Sequence, residues 1–136
     1  DLATLTGAKV VALGEEMVAL FSTDERLATD LLRAADAAGE RLWRMPLADE
    51  LKDKIKGDIG DIKNTGGRAG GAITAALFLR HFTEGRPWAH LDIAGANLTS
   101  KDSPYTPKGA TGVGVRTLLE YLLADSRVAE HRGPQA

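Results

Sequence analysis

One uninterrupted apolar segment, Met17 to Phe21, constrains the fold more than any other part of this sequence. It is short and contains branched residues, which favours a strand buried on both faces, as in a sheet covered by helices. The residues after it have Ser-x-x-Glu spacing, which predicts that Ser22 caps a helix and that Glu25 reaches back to its backbone. The helix ends at Gly39, and its apolar stripe consists of Leu27, Leu31, Ala34, Ala35 and Ala38.

Segments typical of strands and helices alternate along the rest of the chain. Residues 1–7 predict the end of a strand that enters a glycine turn, and Ala8 to Leu13 predicts a short helix closed by Gly14. Later segments predict, in order, an extended stretch over 41–47, one or two helical turns over 51–55, a buried helix over 69–83, a strand over 88–93, a long polar loop over 97–109 and a last helix opened by 109–114. This alternation indicates an α/β layer fold in one unit, or in part of one.

Composition excludes several classes of protein. The chain has 136 residues, of which 43% are hydrophobic and 26% charged, so it is neither disordered nor too small to bury a core. The net charge of -2 argues against a nucleic-acid partner, because phosphate binding requires a surplus of Lys and Arg. No apolar run approaches the roughly 20 residues that span a bilayer, so no membrane partner is expected. The absence of Cys excludes disulfides and thiolate metal sites.

Glycine is clustered at 66–71 and again at 109–114, each time before a predicted helix. A glycine loop at a helix N-terminus can hold a phosphate, and Arg68 could then serve as an anion ligand. Neither cluster has the spacing of a nucleotide P-loop or a clean Gly-x-Gly-x-x-Gly after a strand. The preferred interpretation is that these glycines allow tight turns and close backbone packing, with Arg68 as a solvated cation.

Acidic and histidine residues offer a second candidate chemistry. His90 and Asp92 share one face of a predicted strand, while Asp58 and Asp61 lie in one short segment. Such residues can bind metal, but no His-x-x-x-His or Glu-x-x-His pair accompanies them. The preferred interpretation makes His90 and Asp92 strand-end residues that hydrogen-bond neighbouring loops. Since Cys and a Gly-x-Ser-x-Gly elbow are also absent, the residues alone indicate a scaffold with ligand-contact loops and no catalytic machinery.

Six stretches, taken together and in order, resemble the C-terminal part of the catalytic domain of the leucine aminopeptidase family. They span almost the whole chain: Asp1–Ala8 (DLATLTGA), Trp43–Leu47 (WRMPL), Asn64–Arg68 (NTGGR), Ile73–Ala76 with Phe78–Leu79, Trp88–Gly95 (WAHLDIAG) and Gly109–Leu118 (GATGVGVRTL). The resemblance implies an α/β fold in which this chain forms part of a mixed central sheet flanked by helices on both faces. It also implies a division into residues 1–125, part of the catalytic domain, and 126–136, a flexible tail.

The resemblance implies a cytoplasmic, homohexameric metallo-exopeptidase that removes N-terminal leucine or similar apolar residues from peptides. Two divalent ions, Mn²⁺ or Zn²⁺, would activate a bridging water and polarise the scissile carbonyl. In the family, the metal ligands, the catalytic lysine and an arginine that holds bicarbonate all lie upstream of the segment that resembles this chain. The chain, which opens at Asp1 inside a strand pattern, is therefore expected to hold no metal or catalytic residue and to be inactive alone.

The family motifs also imply which residues contact substrate. The main chain at Leu5 and Gly7 would hydrogen-bond the substrate backbone, and Thr6 belongs to the same loop. The implied pocket for the first side chain is lined by Thr4, floored by Ala94 and edged by Asn97. Small residues suit this place because an apolar side chain needs room.

Two other hypotheses stay open at this point. One is a non-catalytic subunit-contact or binding module of a related protein. The other is a phosphate-binding α/β domain, which depends on the glycine clusters alone.

Overall fold

The computed structural model describes residues 1–131, and side chains through residue 124. The strands are β1 (Leu2–Ala3), β2 (Val18–Ser22), β3 (Leu42–Arg44), β4 (Ala89–Asp92), β5 (Leu98–Thr99) and β6 (Gly109–Ala110). The helices are α1 (Gly7–Leu13), α2 (Glu25–Ala38), a 3₁₀ helix (Asp49–Ile55), α3 (Gly71–Arg80) and α4 (Val115–His131). No helix within these residues is long and apolar enough to cross a membrane.

Four strands form one mixed sheet in the order β1-β4-β2-β3. The β1–β4 and β2–β3 pairs are parallel, whereas β4 and β2 run antiparallel with Leu20 opposite Leu91. On one face α2 packs with α4, and on the other α1 and the 3₁₀ helix pack with α3. The expected α/β fold, a mixed sheet with helices on both faces, is confirmed.

Strand β2 shows why the sheet needs two helical layers. All five of its residues are buried, as the apolar run predicted. Val18 and Leu20 point into a cluster with α2, whereas Ala19 and Phe21 point into a cluster with α3. At about 25 cal/mol per Å² of buried apolar surface, a strand that is apolar on both faces is stable only between two layers.

The predicted cap of α2 is wrong. Asp24, not Ser22, is the N-cap residue, and its carboxylate accepts a hydrogen bond from the Leu27 amide at 2.7 Å. Ser22 belongs to the sheet instead. It is the last residue of β2 and pairs with Ala89, and the Ser22 hydroxyl donates to the Trp88 carbonyl at 2.8 Å. Sheet pairing therefore moves the start of the helix by two residues.

Two further boundaries differ from the sequence-based expectation. The stretch 97–109 is not only a loop, because β5 and β6 pair antiparallel at its two ends. The buried helix predicted over 69–83 spans Gly71–Arg80, with Ala72 and Ala76 in the core. The proposed tail at 126–136 stays a prediction: α4 continues to His131, and residues 132–136 lie outside the described residues.

Helix α4 has no capping side chain at the position before its first residue, because that position is Gly114. Glu40, just beyond the end of α2, supplies the missing acceptor. Its buried carboxylate accepts from the Gly114 amide at 3.1 Å and from the Thr117 amide and hydroxyl at 3.0 and 2.6 Å. Because the first-turn amides of a helix lack acceptors within it and the helix dipole favours a negative charge there, Glu40 caps α4 from a distant segment.

We expect Glu40→Ala to lower the free energy of unfolding by about 2–3 kcal/mol, because buried donors of α4 lose their acceptor. Glu40→Gln keeps an acceptor oxygen and should lose about half as much. Urea unfolding followed by circular dichroism measures both. The exposed Glu50→Ala is the matched control, expected within about 0.5 kcal/mol of wild type. A Glu40→Ala variant as stable as this control would contradict the capping role.

Candidate functional site

Two loops lie side by side at one edge of the mixed sheet. The segment Thr4–Gly7 follows β1, and the segment Ala94–Asn97 follows β4. Because β1 and β4 are parallel neighbours, with Ala3 opposite Asp92, their carboxyl ends bring both loops to the same place. Ligands of α/β sheets bind in crevices outside the carboxyl ends of strands, so this edge is the candidate site.

The carboxylate of Asp92 joins the two loops. It is fully buried and accepts hydrogen bonds from the amides of Leu5 at 3.0 Å and Thr6 at 3.4 Å. The Thr6 hydroxyl donates to it at 2.7 Å, and the Ala94 amide at 3.1 Å. The interpretation of Asp92 as a strand-end residue that hydrogen-bonds neighbouring loops is confirmed.

The main chain of the first loop leaves specific groups for a ligand. The Leu5 amide already donates to Asp92, so the Leu5 carbonyl is the main-chain group of this residue that is left for a ligand. It can accept a hydrogen bond from a bound peptide. Gly7 is exposed and opens α1, where first-turn amides lack an acceptor within the helix. Thr4 is exposed beside them, and Thr6 faces inward as the N-cap of α1. The loop thus offers one acceptor and one donor two residues apart.

The second loop presents small and polar residues. Ala94 is 9% exposed, and Asn97 is half-buried. The Asn97 amide donates to the Ile93 carbonyl at 3.1 Å, which closes the turn, and its carbonyl accepts from the Thr111 amide at 3.0 Å. Its main chain is therefore fixed, and the structure brings all six predicted substrate-contact residues to one edge of the sheet.

Lys9 is a residue of this region that the sequence reasoning missed. It lies on the inner side of α1 and is 0% exposed, and its Nζ donates to the carbonyls of Ala94 at 2.8 Å and Gly14 at 3.1 Å. Burial lowers the pKa of Lys9, and the Asp92 carboxylate opposes that shift. The only signal in the sequence was a single cation within the short apolar helix predicted over 8–13. That pattern is equally typical of a lysine exposed to solvent.

His90 belongs to a different cluster on the same strand. Its ring stacks between Phe21 and Trp88, with centroids 6.3 and 6.2 Å away, and its Nδ1 contacts the Asp1 carboxylate. Nε2 is buried and has no hydrogen-bond partner among the described residues. Burial lowers the pKa of His90 to about 4, and the nearby Asp92 carboxylate opposes this shift. His90 is consequently a neutral core residue at neutral pH.

The other candidate metal ligands do not converge with these two residues. Asp58 and Asp61 are exposed, and Asp58 lies 3.9 Å from Lys63. Among residues 1–131, as far as they are described, no group of three or more His, Cys, Asp or Glu side chains could hold a metal ion.

Contacts at the glycine clusters favour packing over phosphate binding. A Cβ atom at Gly66 would lie 2.7 Å from the Thr74 side chain, and one at Gly114 would lie 2.7 Å from the Leu2 side chain. At Gly66 the neighbour is the Cβ atom of Thr74, which leaves room only for glycine, and at Gly114 the φ of 92° also favours glycine. Arg68 is exposed, as expected of a solvated cation.

Comparison with known proteins identifies the family that has this architecture. The family model described as the cytosol aminopeptidase family, catalytic domain, matches residues 1–119. The chain belongs to the cytosol aminopeptidase family. A probable cytosol aminopeptidase of Synechococcus sp. (strain JA-3-3Ab) is 57% identical over 129 residues, which cover 95% of this chain and 25% of that relative. The chain thus spans about a quarter of the length of the curated relatives it matches.

Two solved structures illustrate that the fold is shared with known proteins. A mutant of tomato leucine aminopeptidase superposes with a TM-score of 0.84 at 46% identity, covering 91% of this chain and 24% of that one. The bottromycin maturation enzyme BotP in complex with Mn gives a TM-score of 0.86 at 46% identity, covering 93% of this chain and 28% of that one. The family is metal-dependent, and this member of it carries the loops of the candidate site on a closely similar scaffold.

We expect Asp92→Ala to lower the free energy of unfolding by about 3 kcal/mol, because three loop amides lose a buried acceptor. Asp92→Asn keeps one acceptor oxygen and should cost less. Urea unfolding measures the loss, and the exposed Asp61→Ala is the matched control, expected to change stability by no more than about 0.5 kcal/mol. An Asp92→Ala variant with wild-type stability would show that the carboxylate does not hold the loops.

Proposed function

We propose that this chain supplies the substrate-binding loops of a metal-dependent leucyl aminopeptidase. The observation that carries the proposal is the meeting of Thr4–Gly7 and Ala94–Asn97 at one sheet edge, through a single buried carboxylate. These segments are about ninety positions apart in the sequence, yet both lie within motifs that resemble the family. Support also comes from relatives named cytosol aminopeptidases and from a leucine aminopeptidase of the same fold.

The proposed roles follow from the free groups of each loop. The Leu5 carbonyl accepts a hydrogen bond from the substrate main chain, and the Gly7 amide donates one to it. Thr6 shapes this loop through the hydrogen bond that its hydroxyl donates to Asp92. Thr4 lines the pocket for the first side chain of the peptide, Ala94 forms its floor and Asn97 its edge. A pocket lined by such small side chains leaves room for leucine or a similar apolar residue.

Metal chemistry belongs to the rest of the proposed enzyme. Two divalent ions, Mn²⁺ or Zn²⁺, would polarise the scissile carbonyl and activate water, and residues upstream of this segment in the family would bind them. Manganese is the ion named with BotP. A bicarbonate held upstream would assist proton transfer. Under this proposal, the described residues bind and orient the peptide and contribute no metal ligand.

The proposed setting is a cytoplasmic homohexamer that acts on peptides with N-terminal leucine or similar apolar residues. The relatives' name, cytosol aminopeptidase, supports the location. Helix α4 supports contact with further protein, because Val115, Leu119 and Leu122 are 66%, 55% and 62% exposed. The same face favours the alternative of a non-catalytic subunit-contact or binding module.

An activity comparison separates the two functions. We expect the full-length protein to hydrolyse leucine anilide in the presence of Mn²⁺. The hydrolysis should stop when a chelator removes the metal. The isolated 136-residue chain should show no turnover under the same conditions. Turnover by the isolated chain would contradict the upstream location of catalysis. A full-length protein inactive with Mn²⁺ and with Zn²⁺ would favour the binding module.

A second experiment tests the pocket. We expect Ala94→Leu in the full-length enzyme to lower kcat/KM for a leucyl substrate by about tenfold or more, because the new side chain fills the floor. An alanyl substrate, which needs less room, should lose less. The exposed Ala37→Leu on α2 is the matched control and should leave both substrates unaffected. Unchanged leucine preference in Ala94→Leu would show that Ala94 does not line the pocket.

A further inference from the structure

The burial of the charged Lys9 side chain is energetically unfavourable, and its position in the fold alone does not explain it. Its side chain is 0% exposed and is among the largest fully buried side chains of the described residues. Removing an ammonium group from water is costly unless strong hydrogen bonds replace the lost hydration. An apolar side chain would fill the same space in α1 without this cost. The two hydrogen bonds made by the ammonium therefore indicate what it does.

The ammonium and Asp92 hold the same peptide residue from opposite sides. The Ala94 amide donates to the Asp92 carboxylate at 3.1 Å, while the Ala94 carbonyl accepts from the Lys9 Nζ at 2.8 Å. Both polar main-chain groups of Ala94 are thus bound by buried side chains of opposite charge. Hydrogen bonds to charged groups are shorter and stronger than neutral ones, so the orientation of this residue is tightly set.

Lys9 also connects the floor residue to the other side of the site. Its second acceptor is the carbonyl of Gly14, in the turn that ends α1. Its own amide donates to the Thr6 hydroxyl oxygen at 3.0 Å, and Thr6 in turn donates to Asp92. One residue therefore joins the first loop, the turn after α1 and the second loop.

The segments around Lys9 are closely packed. A Cβ atom at Gly95 would lie 3.1 Å from the Val10 side chain and 3.3 Å from the Glu15 main chain. There is thus little free space between Gly95, the residue after Ala94, and these two segments. Without the ammonium, the buried Ala94 carbonyl would need another donor, and rotation of the Ala94 peptide group is the local response open to it.

We propose that Lys9 is a specificity-positioning residue, whose buried ammonium holds the Ala94 peptide group and so sets the depth of the pocket for the first side chain of the peptide. The proposal rests on the proposed function, because it takes Ala94 as the pocket floor. It assigns Lys9 no contact with substrate. Its effect is on the choice between large and small first side chains, with little effect on the chemical step.

The test compares Lys9→Met with wild type in the full-length protein, using leucyl and alanyl anilides. Methionine has a side chain of similar length but no donor. We expect the ratio of kcat/KM for leucyl over alanyl substrate to fall by about tenfold, with kcat for the alanyl substrate largely retained. A loss of folded protein would lower both values equally and leave the ratio unchanged. The exposed Lys52→Met is the matched control and should keep the wild-type ratio.

Hydrogen exchange gives a readout that does not depend on activity. Amides of residues 93–97 should exchange faster in Lys9→Met than in wild type, while β2 amides should not. If Lys9→Met does not fold, Lys9→Gln, which keeps a neutral donor, should show a smaller change in the same direction.

The outcomes distinguish the two proposals. A wild type that prefers leucine, beside a folded Lys9 variant with the same preference and the same exchange, overturns the Lys9 role alone. A wild type with no aminopeptidase activity overturns the proposed function and the specificity role with it. Faster exchange confined to 93–97 would in that case show only that Lys9 holds the loop.

Discussion

The carboxylate of Asp92 is the interaction on which the rest of the candidate site depends. It is fully buried, and an unpaired buried carboxylate would cost several kcal/mol. Four donors from two loops offset that cost, and three of them are main-chain amides. Because main-chain amides cannot move without moving the chain, satisfying this one charge also fixes the path of both loops.

Lys9 adds a second buried charge within the same network. The two residues are linked through Thr6, which hydrogen-bonds to both. They are also linked through Ala94, whose amide donates to Asp92 and whose carbonyl accepts from Lys9. Replacing such a network with apolar side chains is often neutral for stability, whereas removing one member is costly. Its value is thus better sought in the geometry of the loops than in the stability of the fold.

The sheet provides the rigid base that this network needs. β4 lies between β1 and β2, so the strand that carries Asp92 is paired on both sides. Phe21, His90 and Trp88 stack beneath one face, and the cluster of Val18, Leu20 and Leu91 fills the other. Glu40 adds a fixed start for α4, the helix that covers α2. Sites built on packed strands hold their geometry better than sites on loops alone.

The local patterns of the sequence were sufficient for the main elements. The apolar run at 17–21 predicted a doubly buried strand, the stripe ending at Gly39 predicted α2, and the apolar surround of α3 predicted its burial. Each of these follows from side-chain periodicity, which depends on near neighbours. The family motifs placed the candidate contacts in 4–7 and 94–97, and their substrate roles remain predictions. The cap of α2 failed because strand pairing competes for Ser22, and a short-range motif cannot register that competition.

The sequence by itself determined the alternation of strands and helices and the small residues of the two loops. Only the tertiary structure decided which strands are neighbours, and hence that Asp92 would receive amides from residues about ninety positions earlier. It also decided that Lys9 is buried and that Glu40 caps a helix 74 residues away. Hydrogen bonds of this kind join residues that no sequence window contains, and burial of a charge depends on everything packed around it.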